Sequence, residues 1–227
     1  MVALIGIFAC LSAAYAAEVR GTVSVDYQGL FEADGSVQVH PVSVALIPDE
    51  SQRVKRRSPR LQRIEIIENR MRPAFLTVQK GDQVEFINRD EVFHELFSLS
   101  PGEPVSVQLG KTGGHKNSKA RFKLDQEGTT HFFCRIHNKS YARIDVVDTP
   151  YLQMVQAEHQ FHFVGLASGR WKLRLASPAA ETRWVPVTAV TSPPALKLKL
   201  SSRGGGRSSG KLKPQAGIAQ LYQDRSD

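Results

Sequence analysis

The sequence predicts an all-β protein, and three observations carry that prediction. Val, Ile, Thr and Phe are spread through the middle of the chain, and these residues suit a pleated, half-buried surface. Short runs of alternating apolar and polar residues are bounded by Gly, Pro, Asn and Asp, as strands are. No long run carries the period of an amphipathic helix. At 227 residues, 41% of them hydrophobic, the chain has the length for one large domain or two small ones and the apolar content for an adequate core.

The elements follow in order. Residues 1–16, MVALIGIFACLSAAYA, are apolar and end in Ala14-Tyr15-Ala16, a small-x-small cleavage site after a short apolar core, although the usual basic start is missing. They read as a signal peptide, which places the mature chain in an oxidising compartment, the periplasm. Ile7-Phe8-Ala9-Cys10 loosely resembles a lipobox, which Phe8 fits poorly; lipid anchoring at Cys10 is the lesser alternative. The stretch is too short for a membrane-spanning helix, and no later one is longer.

Val19 to Val25 alternates and reads as a strand, Ala33-Asp-Gly-Ser as a turn, and Val37 to Ile47 as one or two further strands. Residues 51–63 read as a charged linker. A second β segment starts at Ile64: Phe75-Leu-Thr-Val is a strand, Lys80-Gly-Asp a tight turn, and Val84-Glu-Phe-Ile the next strand. Pro101 to Lys119 is loop-rich, Thr130-His-Phe-Phe-Cys134 is a strand, and Arg143-Ile-Asp-Val-Val closes the block. A third β segment runs from Tyr151 to about Leu200, and 201–227 reads as a disordered basic tail rich in Gly and Ser.

The net charge is +8, and much of it sits in the linker (Arg53, Lys55, Arg56, Arg57, Arg60, Arg63) and the tail (Arg203, Arg207, Lys211, Lys213). An acidic redox partner or an anionic surface would use it; the plainer reading is a solvated linker and tail. No nucleic-acid motif accompanies the charge.

Cys134 is the only cysteine after the leader, so the mature chain offers it no disulfide partner. His137 follows it by three residues, and His94 stands forty residues upstream, after the turn Asn88-Arg-Asp90. Side chains two apart on a strand share a face, so Phe132 and Cys134 point one way and His131 and Phe133 the other. His137 can fold back from a turn to the ion that Cys134 binds, and His94 completes a trio from a neighbouring strand. A thiolate with two imidazoles favours copper when the geometry is trigonal and zinc when it is tetrahedral. The plain alternative is a buried Cys134 acting as a small hydrophobe beside incidental histidines.

The run from Ile64 to Asp148 resembles a plastocyanin/amicyanin-type cupredoxin. The resemblance rests on Pro73-Ala-Phe-Leu-Thr-Val-Gln-Lys-Gly-Asp-Gln-Val-Glu-Phe-Ile-Asn-Arg-Asp, on Val92-Phe-His94-Glu-Leu-Phe-Ser, and on Gly128-Thr-Thr-His-Phe-Phe-Cys134-Arg-Ile-His137. It implies a Greek-key β-sandwich over residues 64–148 holding copper through His94, Cys134 and His137. The whole chain is similar to exported proteins labelled methylamine utilisation proteins. Tyr151 to Leu200 resembles the latter half of a carboxypeptidase-regulatory-like sandwich. That resemblance makes 17–50 and 149–200 the two halves of one discontinuous flanking β-sandwich; two consecutive small domains, or one elaborated domain, is the alternative.

Two residues depart from the family pattern. Ser140 stands where the family places an axial methionine, and Glu95 stands where an Asn or Ser commonly ties the two ligand loops together. The resemblance implies a type 1 copper protein carrying electrons to a redox protein such as a cytochrome or a periplasmic dehydrogenase. The other reading is a non-redox copper-holding or envelope-associated module. A multicopper oxidase needs further histidine clusters, usually as His-x-His pairs, and the sequence has none. No G-x-S-x-G or phosphate loop is present, and Asp82 and Glu85 form no catalytic acid pair, so the sequence predicts no enzyme. His159-x-x-His162 is a weak chelating pair, since residues three apart on a strand face opposite ways. His115 and His40 read as incidental.

Overall fold

The structure, a computed structural model, describes residues 16–26, 40–50, 52–99, 104–115 and 117–201. The expected signal peptide (apart from Ala16), the lipobox cysteine and the tail after Ser201 lie outside the described residues.

The described residues form sixteen strands in four sheets. Strands β3 (Leu61–Ile67), β4 (Arg70–Arg72), β6 (Gln83–Asn88) and β9 (Lys119–Lys123) make one sheet, in the order β4-β3-β6-β9. Strands β5 (Phe75–Gln79), β7 (His94–Leu99), β8 (Ser106–Leu109), β10 (Gly128–Cys134) and β11 (Tyr141–Val147) make a second, in the order β5-β11-β10-β7-β8. Between these two sheets lies a core of Ile64, Ile66, Met71, Phe86, Leu96, Leu109, Phe132 and Ile144. Phe86 and Phe132 meet at its centre with ring centroids 4.7 Å apart.

The remaining strands build another sandwich around this one in sequence. Strands β1 (Ala17–Asp26) and β2 (Pro41–Pro48) precede the inner block. Strands β12 (Leu152–Gln156), β13 (Gln160–Leu166), β14 (Gly169–Ser177), β15 (Ala180–Ala189) and β16 (Leu196–Ser201) follow it. Their sheets run β13-β1-β16 and β12-β2-β14-β15, and a separate core of Trp171, Phe161, Val23, Val44, Leu46 and Leu173 fills the space between them. The fold is therefore all-β, with one sandwich discontinuous in sequence and the other inserted within it. Gly21 is what lets β16 lie beside β1: a Cβ on it would fall 2.5 Å from the Leu196 carbonyl oxygen.

The two sandwiches meet where strands bury both faces. β2 and β11 each carry an unbroken run of five or more buried residues, where a half-buried strand would alternate. On β11, Ala142, Ile144 and Val146 face the inner core. Arg143 and Asp145 face outward and are buried all the same. Asp145 accepts two bonds from Arg143, both 2.8 Å, one from Arg174 of β14 at 2.7 Å and one from the Thr129 hydroxyl at 2.9 Å. This buried ion triad joins the two sandwiches.

Three sequence expectations change. The segment read as a linker over 51–63 ends sooner, because β3 begins at Leu61 and pairs with β6 from Gln83. Its charge is also not simply solvated. Arg57 donates to the fully buried Asp82 at 2.7 Å, the Arg60 amide donates to the same oxygen at 2.8 Å, and Arg56 pairs with Asp148. Asp82 gathers these donors because it closes the tight turn after β5, with the Gln79 amide on its other oxygen at 3.0 Å. The stretch read as loop-rich, Pro101 to Lys119, contains β8.

Candidate metal centre

One end of the inner sandwich brings three donor side chains together. His94 is the first residue of β7. The loop leading to it is held by Asn88, the last residue of β6. The Asn88 side-chain oxygen accepts the Asp90 amide at 2.9 Å, and its amide group donates to the Val92 and Gly110 carbonyls at 2.7 and 2.9 Å. Asn88 is itself buried, so its side-chain bonds to the backbone act as an internal staple for that loop.

Cys134 is the last residue of β10 and lies on its inner face, 5% exposed, across from Leu96 of β7. The loop that follows turns back at once. Ser140 N donates to the His137 carbonyl at 3.0 Å, and Cys134 N donates to the Ser140 carbonyl at 3.2 Å. His137 is thereby folded over the cysteine. Cys134 Sγ lies 3.6 Å from His94 Nδ1 and 3.6 Å from His137 Nδ1, and the two imidazole nitrogens are 3.1 Å apart.

Among the described residues these three form the one group of metal-capable side chains gathered within 4.8 Å. Donors held about 2.0–2.3 Å from one common ion are spaced in this way. Two nitrogens at 3.1 Å with no ion between them would crowd lone pairs or share a single proton. The Ser140 hydroxyl is buried with no hydrogen-bond partner among the described residues. The residues therefore fit a soft or borderline metal ion.

Burial pushes the His94 pKa below its ordinary value; the Asp90 bond works upward, and the charge of His137 adds to the downward shift. Both downward effects favour neutral imidazole, the form that ligates metal. His94 Nε2 lies 3.0 Å from the Asp90 carboxylate, an arrangement that fixes the ring and leaves Nδ1 as the lone-pair side. Burial works to raise the Asp90 pKa, but the amides of Asn69 and Glu68, and then His94, outweigh it and hold the group below the usual carboxylate value.

Sequence reasoning missed Asp90. The turn Asn88-Arg-Asp90 is visible, but nothing local tells that the carboxylate returns to His94. Glu95, too, reads in the sequence only as a departure. Here the Glu95 carbonyl accepts the Arg135 amide at 2.9 Å, its carboxylate meets Arg135 Nε at 3.0 Å, and the same guanidinium lies 4.7 Å from the Phe97 ring centroid. The ligand strands β7 and β10 are thus tied beyond their ladder by a Glu–Arg pair.

His131 faces away from the cluster, with Nδ1 3.0 Å from the Tyr141 hydroxyl. His162 pairs with Glu18 at 2.7 Å while His159 lies in the turn before β13, so the His159-x-x-His162 spacing gathers no site. Outside the cluster, Val92, Phe93 and Ile136 are apolar side chains left exposed on the loops that carry His94 and His137, with Phe93 52% accessible.

No family model and no curated protein matches the chain. Among solved structures, part of the chain is similar to a mutant of amicyanin in its Cu(I) form, 20% identical over 37% of this chain and 80% of that one, with a TM-score of 0.33. It is similar to a purple cupredoxin from Nitrosopumilus maritimus, 18% identical over 37% of this chain and 98% of that one, with a TM-score of 0.32. It is also similar to a copper-containing nitrite reductase from Thermus scotoductus, 19% identical over 45% of this chain and 25% of that one, with a TM-score of 0.34. The inner sandwich has two sheets with a thiol and two imidazoles gathered at one end.

Proposed function

We propose that this protein is an exported copper carrier of electrons, with the ion held by His94, Cys134 and His137. The observation that supports this reading is the convergence of one unpaired thiol and two imidazole Nδ1 atoms at 3.1–3.6 Å inside a rigid sandwich. Zinc prefers four firm donors. This cluster has three, with only a serine hydroxyl at the position where the family places its axial ligand, and that set suits copper. Copper bound there would supply a one-electron couple.

The chain's own residues do the rest. Cys134 and His94 sit at the ends of paired strands, and the backbone bonds of Ser140 hold the loop of His137, so the donors have little freedom to move between oxidation states. His94 and Cys134 are buried, which keeps bulk water away. His137 is less buried, and beside it Ile136, with Val92 and Phe93 of the other ligand loop, offers an apolar rim where a redox protein such as a cytochrome or a periplasmic dehydrogenase could dock. The leader-like start of the sequence supports export. No helix of the described residues is long and apolar enough to cross a membrane.

Ser140 also gives ground for a second reading, a module that holds copper without cycling it, since no thioether is present to tune the couple. Voltammetry of the copper-loaded protein, with visible absorption recorded in parallel, separates the two. A reversible one-electron wave with bleaching and recovery of a thiolate-to-Cu(II) band is the expected result. A loaded protein with no reversible wave would leave the storage reading in its place.

A further inference from the structure

We propose that Asp90 is the positioning residue of this centre, and that its carboxylate stabilises Cu(II) there more than it stabilises Cu(I). This rests on the copper reading above. His94 Nε2 lies 3.0 Å from Asp90 Oδ2. A carboxylate can only accept there, so the proton sits on Nε2 and the Nδ1 lone pair is turned toward Cys134 and His137.

What distinguishes this contact from an ordinary surface pair is how completely Asp90 is held. The two-residue turn between β3 and β4 is made by Glu68 and Asn69, both in the left-handed region at φ 53° and 60°. The Glu68 amide donates to Asp90 Oδ1 at 2.8 Å, and the Asn69 amide donates to Oδ2 at 3.0 Å. The Asp90 backbone is fixed as well, with its amide on the Asn88 side chain at 2.9 Å and its carbonyl accepting from Thr112 at 2.9 Å. The hairpin turn therefore supports the metal centre from outside, through Asp90 and then His94. Sequence separation hides this, because the turn lies more than twenty residues before the histidine.

The energetic consequence follows from charge. A carboxylate hydrogen-bonded to the far nitrogen of a ligating imidazole makes that imidazole a stronger donor. A dication gains more from a stronger donor and a nearby negative charge than a monocation does.

The test uses the full-length protein and two variants, Asp90→Asn, which keeps the shape without the charge, and Asp90→Ser, which keeps one acceptor for the turn amides. Cu(II) and Cu(I) are titrated separately against competing chelators. The expected result is that Cu(II) affinity falls about 10–100-fold in both variants, Cu(I) affinity falls markedly less, and the thiolate-to-Cu(II) band survives. Affinities within twofold of the parent for both ions would overturn the proposal. Equal losses for both ions would overturn the charge preference, since they would mean only a loosened His94. If neither variant folds, nitrogen NMR of the metal-free parent decides: His94 protonated on Nε2 supports the proposal and His94 protonated on Nδ1 overturns it. A parent that takes up no copper would overturn the copper reading itself, whereas a loaded parent with unmoved variants would overturn the role of Asp90 alone.

Discussion

Ser140 shows how much a single side chain can decide in this protein. Its backbone is bonded to the residues on both sides of the cluster, Cys134 and His137, while its hydroxyl is buried without a partner. A thioether in that place would reach further and donate weakly to the ion, and axial donation tunes a copper couple. Replacing Ser140 with Met should lower the reduction potential relative to the parent, by stabilising Cu(II), and make the spectrum more conventionally blue. A potential that stays put or rises in voltammetry would show that Ser140 does not occupy the axial position. Cys134 and His137 stood out in the sequence because a lone thiol and a Cys-x-x-His turn are local patterns, whereas His94, forty residues upstream, was reached through its place after the Asn88-Arg-Asp90 turn and through the family resemblance. The turn amides that fix Asp90 and the Glu95–Arg135 pair were not legible there, since each depends on segments that meet only when the sheets form.

At the scale of elements, β11 carries an instructive conflict. Its Arg143-Ile-Asp-Val-Val sets two charged residues among apolar ones, yet Arg143 and Asp145 are buried, and Asp145 is bonded to Arg174 of β14. Local alternation cannot announce that a second sandwich covers the outer face. Removing Asp145 would leave two buried guanidiniums without their counter-ion, and breaking a buried pair in this way costs about 3–5 kcal/mol. Asp145→Ala should therefore lower the chemical-denaturation stability of the apo-protein by roughly that amount, against a change near zero for an exposed pair such as Lys123–Asp125.

The same group sets a pH dependence. Burial works to raise the pKa values of Asp145 and Asp82, but Arg143 with Arg174, and Arg57 with the Arg60 and Gln79 amides, outweigh it, and both carboxyls lie below their ordinary values. A carboxylate with a depressed folded pKa contributes stability that is present above the unfolded value of about 4 and is lost as pH falls through the folded one. Melting temperature should accordingly fall below about pH 4, and the fall should be shallower in Asp145→Asn. An equally steep fall in that variant would remove Asp145 from the explanation.

For the whole molecule, the sequence indicated the fold class and the three β segments, because strand periodicity and turn residues are written locally. The discontinuity was reached only through resemblance. β1 pairs in parallel with β16, Gly21 against Leu196, and no short-range pattern encodes a pairing across nearly the whole chain. The segment after β16 is basic and rich in Gly and Ser, with few apolar residues to bury. A chain ending at Ser201 should keep its melting temperature and its metal stoichiometry, and a clear loss of either in calorimetry or metal analysis would show that the tail contributes to the folded state.

The central claim is that one thiolate and two imidazoles hold copper at the end of the inner sandwich. Metal analysis and a visible spectrum of the copper-loaded protein beside its Cys134→Ser variant test it most directly. The account predicts one copper per chain and a thiolate-to-Cu(II) charge-transfer band in the parent, with that band absent from the variant because the donor sulfur is gone. A parent that takes up no copper, or a variant that keeps the band, would contradict it.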